Sequence, residues 1–381
     1  MSLSTLADAC SPMSSNIAQK DLVGHKGQYP IYGASGLIGF VNFYKQEQQY
    51  IAVVKDGAGI GRVFSLPPYS SVIGTMQYLL PKDSIDVNYL YYAVQFMHLE
   101  KYYTGSTIPH IYFKDYKHEP LNIPSRDKQQ EISSILILVD KAIDTLHAQI
   151  THLEELVKSR FVELFGEPVT NPKGWKTNSL KNLGELNRGV SKHRPRNDPE
   201  LLNGSYPLVQ TGDVSNADTY IKEYSSTYSE VGLKQSRMWS KGTLCITIAA
   251  NIAKTGILTF DACFPDSVVG FIPGEQTNQI YIHHWFSFFQ KILEEQAPQS
   301  AQKNINLQIL GNLSVMLPPL ALQNEFVAFV EQTDKSKFAV LMHRQILLKT
   351  ALLSAMFSSY TNSDRRICKS LHRRSVDNDE L

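Results

Sequence analysis

A chain of 381 residues with 43% apolar composition can bury more than one core, and at roughly 150 residues per domain it should hold two or three. Its 37 basic and 36 acidic residues leave a net charge of +1, so nucleic-acid binding would have to come from local patches and not from a generally cationic surface. Cys10, Cys245, Cys263 and Cys368 form no C-x-x-C pair, which excludes a zinc ribbon or finger, and no apolar run approaches the ~20 residues of a membrane span. Cys245 and Cys263 sit in apolar runs as expected buried thiols, and the N-terminus lacks the basic start and apolar run of a signal peptide, so the expected location is cytoplasmic.

In chain order, the first stretch shows short strand-like runs at 50–54 and 72–73, separated by turn signals at Gly33-Ala34-Ser35-Gly36 and Asp56-Gly57. An aromatic-rich helical stretch follows at 89–103. From 127 to 165 apolar residues fall at Ile132, Leu136, Val139, Ile143, Leu146, Ile150, Leu153 and Val157, in alternating steps of four and three that define a heptad seam. Pro124 precedes this helix, and Gly166 with Pro168 ends it; at 1.5 Å per residue it is about 58 Å long. The next stretch repeats the plan, with strand-like runs at 244–248 and 267–269, turns at Asn203-Gly204 and Pro273-Gly274, and a helical stretch at 281–295. A second long helix covers 320–357. Phe326, Val330 and Thr333 start a register that would next bury Lys337 and Arg344, whereas a shift by one residue recovers Phe338, Leu341, Leu348 and Leu352, which reads as a stutter. The tail carries Arg365, Arg366, Lys369, Arg373 and Arg374 and is expected to be mobile.

The chain repeats itself. An offset of 194 places Ser106-Thr107-Ile108-Pro109-His110 over Ser300-Ala301-Gln302-Lys303-Asn304, then Pro124 on Pro318, Glu131 on Glu325, Asp140 on Asp334 and Lys141 on Lys335, without a gap. Ser71-Val72-Ile73-Gly74 matches Ser267-Val268-Val269-Gly270, and Leu6-Ala7-Asp8 matches Leu183-Gly184-Glu185, at other offsets. Two α+β modules, each ending in a long helix, follow from this; the helices are expected to pair antiparallel.

Catalytic signatures are missing. Gly57-Ala58-Gly59-Ile60-Gly61-Arg62 has Arg where a dinucleotide fingerprint needs its third glycine, and reads as a tight turn between strands. Leu66-Pro67-Pro68-Tyr69 has the outline of an adenine methyltransferase motif, but Leu66 cannot accept a hydrogen bond from the target amine. No P-loop occurs, and His283-His284 is expected to be packed or partly exposed and not metal-bound. Two similar modules on stiff helices suit the reading of separated half-sites on a duplex. Candidate DNA contacts are His25, Lys26, Lys55, Arg62, Ser106, Thr107 and His110 in the first module. In the second they are Arg188, Lys192, Arg194, Arg196, Gln210, Thr211, Asn251, Lys254, Lys303 and Asn304. For each of these residues outside the Arg188–Arg196 loop, a structural role is at least as good an account; for that loop the alternative is a solvated basic loop.

Three segments together resemble one family: Tyr29-Pro30-Ile31-Tyr32-Gly33-Ala34-Ser35-Gly36, Val54-Lys55-Asp56-Gly57-Ala58-Gly59-Ile60-Gly61 and Gly105-Ser106-Thr107-Ile108-Pro109-His110, with the helix from Gln130-Glu131-Ile132 to Leu164-Phe165-Gly166. The chain resembles the DNA specificity subunit of type I restriction-modification systems over residues 4–357. That resemblance implies an α+β fold with two similar target-recognition domains joined by a long antiparallel two-helix coiled coil, a pseudo-two-fold internal repeat. The domains would be 1–126 and 169–318, the spacer helices 127–168 and 319–357, and the basic tail 358–381. Each recognition domain would read half of a bipartite site in double-stranded DNA. The seam residues named above on both helices would fix the gap and dock two methyltransferase subunits, and restriction subunits with motor and nuclease would join them. The chain itself would be non-catalytic and bind no cofactor; S-adenosylmethionine, ATP and magnesium belong on the partner subunits. The first module begins abruptly, without a counterpart to Trp175. The second lacks the Gly-Ala-Ser-Gly and Gly-Ser-Thr-Ile-Pro-His signatures of the first, so it would read a different sequence and the site would be asymmetric. The competing readings are a stand-alone or fused DNA modification enzyme and a repeat scaffold that does not bind DNA.

Overall fold

The computed structural model describes residues 4–22, 24, 26–104, 108–249, 252–296 and 305–359, without the side chains of 291–296 and 348–359. Backbone proximity divides the chain into two compact units, Met1–His147 with Met342–Leu381, and Ala148–Leu341. Both boundaries fall inside long helices.

The first unit runs β1 (Ser4–Thr5), α1 (Leu6–Ala9), β2 (Cys10–Ser14), β3 (Tyr29–Gly33), β4 (Gly36–Val41), β5 (Tyr50–Val54), β6 (Val63–Leu66), β7 (Ser71–Val72), β8 (Met76–Pro81), α2 (Val87–Phe96), α3 (Phe113–Tyr116), β9 (Pro120–Leu121) and the start of α4 (Arg126–Phe165). Its main sheet has the order β2-β8-β5-β6, its second sheet β4-β3-β7, and β1 pairs with β9. All five residues of β5 are buried, as a continuous apolar run demands of a strand covered on both faces. Leu90 and Val94 of α2 pack with Ile51, Val53 and Leu79 of that sheet. The helix starts where Asp86 accepts from the Asn88 and Tyr89 N–H groups. It stops at Phe96, short of the expected 103, because His98 turns left-handed (φ 50°) ahead of a separate 3₁₀ turn at Leu99–Tyr102.

The second unit takes in the end of α4 and then β10 (Thr177–Ser179), β11 (Gly184–Arg188), β12 (Leu202–Leu208), α5 (Thr211–Asn216), β13 (Tyr220–Ile221), β14 (Ser226–Tyr228), α6 (Glu230–Lys234), β15 (Met238–Trp239), β16 (Leu244–Thr247), β17 (Thr255–Leu258), β18 (Ala262–Cys263), β19 (Val268–Pro273), α7 (Gln279–Gln296), α8 (Leu307–Gly311), β20 (Ser314–Met316) and α9 (Leu320–Ser359). Its sheets are β11-β19-β16-β17-β13, β14-β12-β18-β15 and β10-β20. Nine of its eleven described strands repeat the pairings of the first unit; β13, parallel to β17, and β15, antiparallel to β18, are additional. In each, the first and last short strands pair, four antiparallel strands (β2-β8-β5-β6, β11-β19-β16-β17) carry the core, and one parallel contact (β3 with β7, β12 with β18) organises the second sheet.

That equivalence corrects two of the short sequence matches. The Leu6 N–H bonds to the Glu119 carbonyl and the Leu180 N–H to the Leu313 carbonyl, both at 3.0 Å, so Leu6 answers to Leu180 and not to Leu183. Ser71-Val72 forms the parallel strand whose counterpart is Ala262-Cys263, while Val268-Val269-Gly270 lies in β19, the counterpart of β8. Similar apolar tetrapeptides occupy different strands because any buried strand accepts them.

At offset 194 the topology also matches two glutamines. Gln129, fully buried at the start of α4, accepts from the Asp86 N–H (2.8 Å) and donates to the carbonyls of Ser84 (3.1 Å) and Pro124 (2.9 Å). Gln323, fully buried at the start of α9, accepts from the Asn278 N–H (3.2 Å) and the Thr277 hydroxyl (3.2 Å) and donates to the carbonyls of Gln276 (3.1 Å) and Pro318 (3.0 Å). Each long helix is thus riveted to the loop that begins α2 or α7.

Within the second unit the end of α4 and the start of α9 run antiparallel. Arg160 meets Glu325 at 2.7 Å, and Glu154 meets Lys337 at 3.1 Å, one partner rising in number as the other falls. Phe161 and Phe165 pack their rings on Phe326 at 5.3 and 5.6 Å. The expected α4 seam is the covered face: Leu136, Leu146 and Val157 are buried, and Ile132, Val139, Ile143, Ile150 and Leu153 are half-buried.

The α9 seam differs from expectation. Phe326, Val330, Thr333 and Lys337 are buried and Val340 and Arg344 half-buried, an unbroken alternation of four and three with no stutter. Phe338 and Leu341 are instead 60% and 44% exposed, and the side chains of Leu348 and Leu352 lie outside the described residues. Neutralisation explains the difference: the Lys337 ammonium pairs with Glu154 on α4 and with Asp218 on the loop before β13, while its apolar stem fills the seam. Burial pulls the Lys337 pKa down, but the two carboxylates together hold it above the ordinary lysine value. Since the Glu154 and Asp218 carboxylates are 50% and 67% exposed and water can take over from the ammonium, and an apolar residue of similar length fills the seam, Lys337→Met should shift the urea midpoint by the equivalent of less than about 1 kcal/mol. Lys337→Glu, which sets three carboxylates together, should cost about 3 kcal/mol or more in the same titration.

Cys10, Cys245 and Cys263 are buried free thiols, and burial raises the Cys10 pKa to about 12. Among the described residues no helix is long and apolar enough to cross a membrane.

Candidate nucleic-acid interface

In the first unit the chain ends of the main sheet bring several expected residues together. Gly57 (φ 92°) and Gly61 (φ 83°) make the turn from β5 to β6, where the Gly61 N–H bonds to the Val54 carbonyl at 2.9 Å; the glycine run is therefore a turn and not a phosphate cradle. The segment up to His110 is stapled beside it by the Gly57 N–H to the Pro109 carbonyl (3.0 Å) and the Ile111 N–H to the Lys55 carbonyl (2.9 Å). The His110 Nδ1 lies 2.7 Å from the Asp56 carboxylate, which orients the ring. Lys55 reaches within 4.0 Å of the same carboxylate. Arg62, immediately before β6, folds over Gly59, with Nε 3.4 Å from its carbonyl. Lys26 is exposed on the segment leading into β3, and His25, Ser106 and Thr107 lie outside the described residues.

In the second unit Arg188, Lys192, Arg194 and Arg196 share one loop running from the end of β11. Backbone N–H groups of Lys192 and His193 donate to the Gln235 side chain at 2.7 and 3.0 Å, and His193 Nε2 lies 2.9 Å from Asp198. Hydrogen bonding, from the Glu200 N–H first and His193 next, lowers the Asp198 pKa. Three of the four basic residues converge on Asp266, which sequence reasoning passed over because it lies 70 residues beyond Arg196. Gln210 and Thr211 stand apart from that loop, as the N-cap and first residue of α5, with the Gln210 N–H on Asp213 at 2.7 Å. Lys254 lines a cavity of about 250 Å³ with His283, His284, Asp334 and Lys337. Asn251, Lys303 and Asn304 lie outside the described residues, and among those described no three His, Cys, Asp or Glu side chains gather as a metal site.

The chain thus holds a duplicated α+β unit with a 40-residue helix after each copy and a basic loop at a sheet edge, and comparison with known proteins identifies the class to which this architecture belongs. The family model described as the type I restriction modification DNA specificity domain matches residues 4–155 and again 172–349, and the chain belongs to that family. A putative type I restriction enzyme specificity subunit of Haemophilus influenzae is 22% identical over 332 residues, covering 81% of this chain and 80% of that protein. The MjaIX specificity subunit of Methanocaldococcus jannaschii is 26% identical over 181 residues, covering 42% of this chain and only 40% of that protein. Among solved structures, the type I restriction-modification S subunit from M. genitalium shares the fold with a TM-score of 0.59 at 15% identity, over 93% of this chain and 94% of that one.

Proposed function

We propose that this chain is the DNA-reading component of a type I restriction-modification assembly, each unit recognising one half of an asymmetric split site. The observation that carries this reading is the repetition of one topology in two units, each continued by a long helix anchored through an equivalent buried glutamine. The two units present different side chains at corresponding sheet ends, His110 on Asp56 in one and an arginine loop on Asp266 in the other, which suits two unlike half-sites. The chain directs chemistry and performs none; methyltransferase subunits carrying S-adenosylmethionine and restriction subunits using ATP and magnesium supply it in the cytoplasm. Phe338 and Leu341 border a groove of about 420 Å³ with residues 216–223, an apolar face on α9 suited to a docked methyltransferase subunit. Sequencing of methylated bases in the host genome should reveal a two-part site with an unspecified gap that disappears when this chain is deleted. Methylation confined to one short continuous motif would sink the reading. Heat on adding S-adenosylmethionine to the isolated chain would favour a modification enzyme, and the absence of any salt-dependent duplex affinity would favour a scaffold.

A further inference from the structure

Three arginines from one loop meet one acidic residue. Arg188 donates Nε to the Asp266 main-chain carbonyl at 2.9 Å, Arg196 donates to the Asp266 carboxylate, and the Arg194 guanidinium lies 3.6 Å from its other oxygen. Arg194 also donates to the carbonyls of Ser191 and His193, at 2.7 and 2.8 Å, so its plane is fixed from two sides. The backbone holds the two partners in register: the Gly189 N–H bonds to the Val268 carbonyl at 2.8 Å, and the Val268 N–H closes the turn onto Pro265 at 3.0 Å. Gly189 is required there, since a side chain would strike the Phe264 and Pro265 carbonyls.

A carboxylate on a DNA-facing surface repels phosphates, so by charge alone Asp266 would weaken the binding proposed above. Its geometry does the opposite. Each guanidinium carries five donors and spends only part of them here, and the Arg194 and Arg196 side chains remain 55% and 47% exposed, with Asp266 itself 34% exposed beneath them. Without the carboxylate, Arg194 and Arg196 would separate and sample many rotamers beside Arg188, which stays on the main-chain carbonyl; with it they are set in place before DNA arrives.

We propose that Asp266 is a positioning residue for recognition by the second unit, its carboxylate gathering Arg194 and Arg196 beside Arg188 into a preset fork that reads DNA in that half-site. This rests on the DNA-reading function argued above. The test compares full-length wild type with Asp266→Asn and Asp266→Glu, each co-assembled with its methyltransferase, on a duplex carrying the mapped site and on the same duplex with the second half-site scrambled.

Asp266→Asn is expected to lose about tenfold or more in affinity for the true site, the discrimination of one good bidentate arginine contact. Its affinity for the scrambled duplex should hold or rise, since a negative charge has gone, and Asp266→Glu should recover most of the specific binding. Equal strengthening on both duplexes would show that Asp266 is only a repelling charge and overturn the proposal. Equal weakening on both, with a lowered melting temperature, would overturn it in favour of a purely structural role. Wild type that fails to distinguish the two duplexes would instead remove the DNA-reading function itself.

Discussion

Replacing Gln323 by leucine is expected to destabilise the second unit by about 3–5 kcal/mol, because a buried amide with partners on all sides leaves each of them stranded. The Asn278 N–H and the carbonyls of Gln276 and Pro318 would lose their hydrogen bonds at buried or part-buried positions, and each group left unpaired out of water costs about 1–3 kcal/mol. Gln129→Leu should do the same to the first unit through the Asp86 N–H and the carbonyls of Ser84 and Pro124. Native-state hydrogen exchange gives the sharpest readout, since the amides of Asn278 and Asp86 are direct partners of the two side-chain oxygens. Each variant should lose protection at its own amide and keep it at the other. Loss of protection in both units from either substitution, or in neither, would mean that the glutamines do not rivet the helices separately.

Such a pair was open to sequence reasoning in principle. The offset that aligned Pro124 with Pro318 and Glu131 with Glu325 aligns Gln129 with Gln323 as well, and a polar residue in the covered first turn of both helices was the available signal. What patterns of apolar residues convey well was read well: the duplication, the long helices, and central strands such as β5 and β16 whose side chains are all buried. Where polar residues decide the packing, the pattern misleads. The α9 seam looked broken because Lys337 seemed unfit for burial, and its fitness depends on Glu154 and Asp218, 183 and 119 positions away. The arginine loop was visible as a cluster, yet nothing local announced Asp266. The short match of 71–74 to 267–270 failed for a complementary reason, since apolar tetrapeptides are too common to fix which strand is which.

Acidification supplies a test of the interior that those long-range pairings build. His283 and His284 line the 250 Å³ cavity of the second unit, His283 Nδ1 2.8 Å from the Thr255 hydroxyl and His284 edge-on to Phe326 at 5.3 Å. Burial depresses the His283 pKa to about 4, against a partial opposing pull from Asp218. Burial also drives the His284 pKa well below the ordinary value, reinforced by His283, Lys337 and Lys158. The facing charges are Glu154 and Lys158 on α4, Asp218 before β13, Lys254 before β17, and Asp334 with Lys337 on α9. A histidine whose folded pKa lies below its unfolded value of about 6.5 contributes stability that is fully present above pH 6.5 and lost as pH falls toward 4, because the unfolded chain takes up the proton first. Between pH 7.5 and 5 His283 alone should withdraw about 2 kcal/mol, with His284 adding to the loss. Asp334, raised by burial and by Asp218, has the opposite sign and softens the fall only toward the acid end of that range. Urea titrations at pH 7.5, 6.5, 5.5 and 5 should show the decline in wild type and a shallower one in His283→Gln, which keeps a hydrogen-bonding partner for Thr255 but cannot take up the proton. Parallel pH profiles for the two proteins would show that His283 stays accessible to protons in the folded state, and that the cavity does not exclude charge as its packing requires.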